Sequence, residues 1–570
     1  MKLLRSSLVL MFALLLLSGC VAGEPPAPPA ELRVAASVPT DFLTIAADAD
    51  PVVNTLLVSA ALYRRAGLVV AAPAGDDRAQ LLAASAALDL GVPLLLTPPI
   101  GAPTSAAVAA ELTRLQASYV LSVGGDPTST SVPAPTGTTG TTGTTGRRAS
   151  DQTFIHVSAT PAAVNAVLPV PLRVVKVASL PEAFSTLAEM DPLAPALLNL
   201  PSIPTSTTTP TAEKVAVLPD VTRAVPLAGV FVLAADDPSE LAGVATARAA
   251  SVAVRLVPAV QPNPQASKDV VSALGAAAPT AVIALGPPFA GEVELEYKVR
   301  AAVTGVQLPG GGQVLFPGRR FVALYGTPGA PVLGVLGERP VQEAIVRAQQ
   351  MAVAYQPLSD RPVVPMHEII ATVASAGAGP DGNYSNEIPA EQLRGWVEAA
   401  GAAGLYVVLD LQPGRTDFLT QAKEYASLLE LPYVGLALDP EWRLGPDQRH
   451  LVQIGSVDVA EINSVVTWLA VVTRDHALPQ KLLVLHQFRP SMIRNRADLD
   501  LSRPELAVLL HVDGLGGQPD KQATWAALHS DAPAGVAWGW KNFYDEDQPM
   551  LTPEQTTTQV SPMPDLITYQ

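Results

Sequence analysis

The sequence predicts an α/β protein in two parts: tandem parallel-sheet units, then an eight-stranded (β/α)8 barrel of the TIM type. Three observations carry this expectation. Unbroken apolar runs such as residues 230–235 (VFVLAA) and 433–438 (YVGLAL) read as strands buried on both faces, the pattern of parallel sheets. These runs alternate with Ala-rich stretches of helical length along most of the chain. In the last roughly 250 residues, the usual size of a barrel, eight such runs begin near Phe321, Val363, Leu405, Tyr433, Lys481, Glu505, Gly535 and Asp565.

At 570 residues the chain exceeds one ordinary core, and 48% hydrophobic with 15% charged residues is a globular composition. A net charge of −16 argues against a nucleic-acid binder, because phosphate contacts need a basic face. At the N-terminus, Lys2 and Arg5 precede an apolar run over 8–17, which has signal-peptide length and is too short to span a bilayer. The run ends in Leu17-Ser18-Gly19-Cys20, which resembles the lipobox of bacterial lipoproteins. That resemblance implies a lipoprotein signal peptide over 1–20 cleaved before Cys20, lipidation (a palmitate-type anchor) on Cys20, and display on the outer face of the cytoplasmic membrane. Cys20 is the only cysteine, so no disulfide is expected within the mature monomer. Residues 21–31 are a Pro-rich tether.

From residue 32 the elements follow in order. A strand at 68–72, a helix at 76–90, a strand at 93–97, a helix through Glu111 and a strand at 119–123 make a βαβαβ unit ending at Gly124-Gly125. The order returns at 230–235, through Glu240 and Ala247, at 254–258 and at 281–286. Asp76-Asp77 and Asp236-Asp237 correspond across a shift of 160, as do Pro98 and Pro258, which marks an internal repeat. With Leu90-Gly91-Val92-Pro93 and 119–125, these residues make the unit similar to the cell wall-binding repeat 2 family. The resemblance implies tandem Rossmann-like modules that attach surface proteins to wall polymers. The second copy departs from it, with Ser251-Val252-Ala253 in place of Gly91-Val92-Pro93. The expected boundaries are 32–200 for the first repeat, 201–312 for a linker and the second repeat, and 313–570 for the barrel. Residues 131–150, with a TGTTGTTG core, are expected to be a disordered loop. No GxGxxG or Walker pattern occurs, and no cofactor is expected.

Function is expected at the C-terminal strand ends, which a barrel gathers into one ring. Glu368, Asp410, Asp439 and Glu441 are the candidate catalytic carboxylates; His486, His511, Asp513, Trp442 and Trp540 are candidate substrate-binding groups. His367, Trp538 and Tyr569 stand at the same ends, and a Gly-rich loop at 377–388 is a candidate mobile wall. Carboxylates that donate and accept protons beside aromatic faces suit sugars. The whole has a fold-level similarity to the barrel glycoside hydrolases, which implies hydrolysis of a cell-envelope polysaccharide. Two alternatives stay open. The His, Asp and Glu set also suits a metal-dependent hydrolase, although no HExxH or HxH spacing is present, and no metal is assigned. The barrel also suits a non-catalytic glycan-binding or structural surface protein.

Overall fold

The computed structural model describes residues 32–99, 102, 104–124, 152–201 and 218–570. Cys20 and the lipobox-like segment, the tether, the 131–150 loop and most of the 201–211 linker lie outside these residues. Among the described residues, no helix is long and apolar enough to cross a membrane.

The barrel closes. Its strands are β1 (Arg320–Gly326), β2 (Val363–Ala374), β3 (Tyr406–Leu411), β4 (Val434–Leu438), β5 (Lys481–His486), β6 (Leu506–Val512), β7 (Ala537–Asn542) and β8 (Leu566–Tyr569). Each pairs in parallel with the next, and β8 returns to β1. All eight start within two residues of their expected positions. Two-residue periodicity sorts their side chains. Phe321, Met366, Val408, Val484 and Leu509 fill the interior, while Val322, Leu324, Leu409, Leu483 and Leu485 face the surrounding helices.

Helices Val341–Tyr355, Ala390–Ala402, Val459–Asp475, Gln518–His529 and Pro553–Gln559, with the broken pair Phe418–Glu424 and Ala426–Leu429, cover the outside. Between β5 and β6 no α-helix forms; two 3-10 turns, Pro490–Met492 and Arg496–Asp498, take its place. Pro490 and Pro504 bracket that stretch, and proline removes the N–H an α-helix interior needs. The 377–388 loop is partly structured: Ser385–Glu387 pairs antiparallel with the end of β2, and the Arg415 guanidinium sits 4.4 Å over the Tyr384 ring.

The linker out of the N-terminal half seals the bottom of the barrel. Leu308 and Leu315 join the interior cluster, and the buried Tyr297 hydroxyl donates to Leu478 O at 2.9 Å. The N-terminal half holds two parallel four-stranded sheets with the same spatial plan. One runs Leu94–Thr97, Leu68–Pro73, Tyr119–Val123, Thr153–Val157; the other runs Ala253–Val257, Val230–Ala235, Ala281–Leu285, Leu43–Ala46. The repeat is visible in detail: Ser251 adopts φ 61 where Gly91 has φ 67, and the bonds Val92 N to Ala87 O and Val252 N to Ala247 O are both 3.1 Å.

One boundary needs correction. Leu43–Ala46, expected within the first repeat, completes the second sheet by pairing with Ala281–Leu285. A four-residue strand can reach either sheet along the chain, and the helix that follows it, Pro51–Leu62, packs against both Leu241–Ala249 and Leu94–Thr97.

Lys481 yields the first prediction. It is fully buried at the start of β5, and its Nζ donates only to the carbonyls of Leu431 and Val434, both at 2.9 Å. Burial lowers its pKa to about 7. From there to the ordinary lysine value of about 10.4, the unfolded chain binds the extra proton. Stability therefore rises with pH across that window and flattens below it. Lys481→Met, of similar length, should remove this slope and raise the melting temperature at pH 7. Melts between pH 7 and 10 that keep the same slope would show that Lys481 folds charged.

Candidate functional site

Eight inward positions build a polar layer over the apolar interior: Tyr325 on β1, Glu368 on β2, Asp410 on β3, Asp439 just after β4, His486 on β5, His511 on β6, Lys541 on β7 and Thr568 on β8. His486 is its centre, with no exposed surface. Its Nε2 lies 2.9 Å from Glu368 Oε1 and 3.9 Å from Asp410 Oδ1, and its Nδ1 lies 2.9 Å from Asp513 Oδ2. Burial opposes a charge on this ring, but Asp410, Glu368 and the bond to Asp513 outweigh it and raise its pKa well above the ordinary value. His511 is its opposite. Burial and the neighbouring His486 hold it well below the usual range, hence neutral. Its Nε2 bonds Thr568 Oγ1 at 3.0 Å, and its Nδ1 faces His486 Nδ1 at 3.2 Å. A side chain at position 539 on β7 would come 2.4 Å from the His511 ring, so glycine there is what admits the imidazole.

Above this layer opens a cleft of about 400 Å³, lined among others by Tyr325, Asp439, Glu441, Trp442, Asp513 and Lys541. Tyr325 donates its hydroxyl to Asp410 Oδ2 at 2.7 Å, and the Lys541 ammonium sits 3.5 Å over the Tyr325 ring. Asp439 Oδ1 accepts from the Glu441 amide at 3.2 Å, so it caps the turn that projects Glu441 and Trp442 into the mouth. The carboxyls divide by environment. Burial, then Asp410, Glu441 and Asp513, push Asp439 well above the usual carboxylate range. Burial and the nearby Asp513 push Glu441 up to about 7. Asp513 is also buried, but its bond to His486 and that ring's charge outweigh burial and lower its pKa. The same mouth thus presents a carboxyl protonated near neutrality beside one held ionised.

The structure brings Glu368, Asp410, Asp439, Glu441, His486, His511, Asp513 and Trp442 to one end of the barrel. Glu368 and Asp410 lie in the buried layer and do not line the cleft. Trp540 is elsewhere, a correction to the expected binding group. It is one residue out of phase with Lys541, so it faces outward and packs on Trp525, ring centroids 5.6 Å apart. The same phase removes three more strand-end residues. His367 lies 6.2 Å from the Trp396 ring, Trp538 stacks on His529 at 3.4 Å, and the Tyr569 hydroxyl meets that of Tyr355 at 2.6 Å. Thr568 was missed, although Leu566 and Thr568 alternate on the inner face and counting by two from Leu566 finds it. Val332, Phe488 and Leu515, which line the cleft from loops, carry no periodic signal at all.

Glu368, His486 and His511 place one donor atom each within 4.8 Å of one another. Both His486 nitrogens are already engaged by carboxylates and His511 Nε2 by Thr568. A cation at this cluster has to displace bonds within it, so the donors present do not favour a metal centre.

No family model and no curated protein matches the chain. Among solved structures it is similar to Cwp6 from Clostridium difficile, at 10% identity over 60% of this chain and 64% of that one, with a TM-score of 0.31. The match spans less than two thirds of that structure, and so distant a likeness carries no argument about activity.

Proposed function

We propose that the barrel hydrolyses a cell-envelope glycan, with Glu441 as the general acid and Asp513 as the ionised carboxylate partner. The observation that supports this is the opposed titration of these two groups in one cleft at the C-terminal mouth. The assignment differs from the sequence-based quartet. Asp439 positions the turn bearing Glu441, while Glu368 and Asp410 support the layer below. Trp442 at the rim offers an aromatic face for a pyranose. In this reading the N-terminal units, with their resemblance to wall-binding repeats, hold the barrel at the wall polymer. Cys20 in its lipobox-like setting anchors the chain to the membrane.

Incubating the purified protein with isolated envelope polysaccharides and counting new reducing ends tests the reading. Release that is unaffected by a chelator is expected. Release abolished by chelator and restored by Zn or Mn favours the metal-dependent hydrolase. Binding without release makes the barrel a binding module.

A further inference from the structure

His486 has no place in the proposed reaction, yet it is fully buried among carboxylates. Both ring nitrogens sit 2.9 Å from carboxylate oxygens. With carboxylates as acceptors on both sides, each of these bonds takes its N–H from the ring, and a ring with two N–H groups is a cation. The neutral His511 supplies no competing charge and turns Nδ1 toward it. Glu368 Oε2, Asp410 Oδ1 and Asp513 Oδ1 accept no hydrogen bond from the described residues. The Asp410 oxygen lies 3.9 Å from this ring.

We propose that His486 is a positioning residue, a buried imidazolium that clamps Glu368 to Asp513 and keeps Asp513 ionised opposite Glu441. The proposal rests on the roles given above to Glu441 and Asp513. The groups facing the ring from the other strands fit a clamp. Tyr325 approaches edge-on at 6.0 Å from β1. Glu368 and Asp410 come from β2 and β3, and Asp439 and Glu441 lie past β4. His511 and Asp513 come from β6 and its end, and Lys541 from β7 and Arg489 from the segment after β5 are further cations acting on the mouth. Glu368 anchors one end of the imidazole in the closed layer, and the other end meets the carboxylate that reaches the cleft. Breaking the clamp frees Asp513 to take a proton and to turn.

Two measurements test it on the full chain. With seven histidines in all, nitrogen NMR of 15N-histidine-labelled protein resolves individual rings, and loss of one signal set in His486→Gln assigns it. Both nitrogens of that ring are expected to stay protonated well above the ordinary histidine value near 6.5. In His486→Gln, which keeps an N–H for Glu368 but carries no charge, the acid limb of the activity profile should move up by roughly one pH unit or more. A purely structural role lowers turnover without moving that limb. A ring that titrates near 6.5, or an acid limb that stays in place, overturns the clamp. The two failures are distinguishable: a parent protein that hydrolyses nothing sinks the glycosidase reading, whereas a neutral His486 sinks the clamp whatever the turnover. The parent spectrum decides the charge even if the Gln variant does not fold.

Discussion

Glu441→Gln is expected to lower glycan turnover by about 100-fold or more while leaving the fold intact. The amide keeps the shape of the side chain but cannot deliver a proton to a leaving oxygen. In the parent protein, activity should fall as pH rises through about 7, where Glu441 loses its proton. The same shift acts on stability. Because the folded value lies above the unfolded one, the favourable contribution is complete below the unfolded value near 4.3 and is lost as pH rises through about 7. The neutral Gln variant should therefore melt higher than the parent at pH 8 and show no such gain at pH 4. Turnover within threefold of the parent, with the limb near pH 7 intact, would remove Glu441 from the reaction.

Asp513→Asn is the second large effect, and it acts on both halves of the site. Turnover should again fall by about 100-fold or more, because the cleft loses the carboxylate held ionised beside the acid. After burial, Asp513 does most to hold Glu441 up. Residual activity should accordingly show its alkaline limb displaced to lower pH, a signature that general damage to the site does not produce. Asn still offers a carbonyl to His486 Nδ1–H, but the buried ring loses one of the carboxylates that hold its charge. Breaking a buried pair in this way costs about 3–5 kcal/mol, readable as a lower denaturation midpoint at pH 7. That loss should shrink at low pH, since a carboxyl whose folded pKa is depressed stabilises only above its unfolded value and loses that contribution as pH falls. An alkaline limb unmoved in Asp513→Asn would mean that the two carboxyls do not sense one another.

Much of this architecture was legible in the residues. Eight apolar runs ending in polar groups marked the barrel strands, because a strand between an inner core and an outer helix layer must be apolar on both faces. The repeat at a shift of 160 was readable from its Asp pairs, since Asp76 caps one helix and Asp237 the turn that opens the other; that Ser251 keeps the left-handed turn of Gly91 was not. The missing helix between β5 and β6 was readable in principle from Pro490 and Pro504. The completion of the second sheet by Leu43–Ala46 was not, because nothing local in four residues names a partner strand.

At the site the division is sharper. The sequence alone determined that carboxylates, imidazoles and aromatics cluster at the strand ends, since the polar packets follow the apolar runs directly. It did not determine which of two adjacent residues points inward. His367 against Glu368, Trp540 against Lys541 and Tyr569 against Thr568 differ by one position and therefore by one face, and closure of the barrel sets that phase. Nor did it determine charge. Glu441 and Asp513 are both carboxyls in the same mouth, and only the tertiary structure, by placing His486 against Asp513 and burying Glu441 nearby, drives their proton affinities apart. A pKa is a property of surroundings within a few ångströms, and those surroundings come from strands more than a hundred residues apart in the chain.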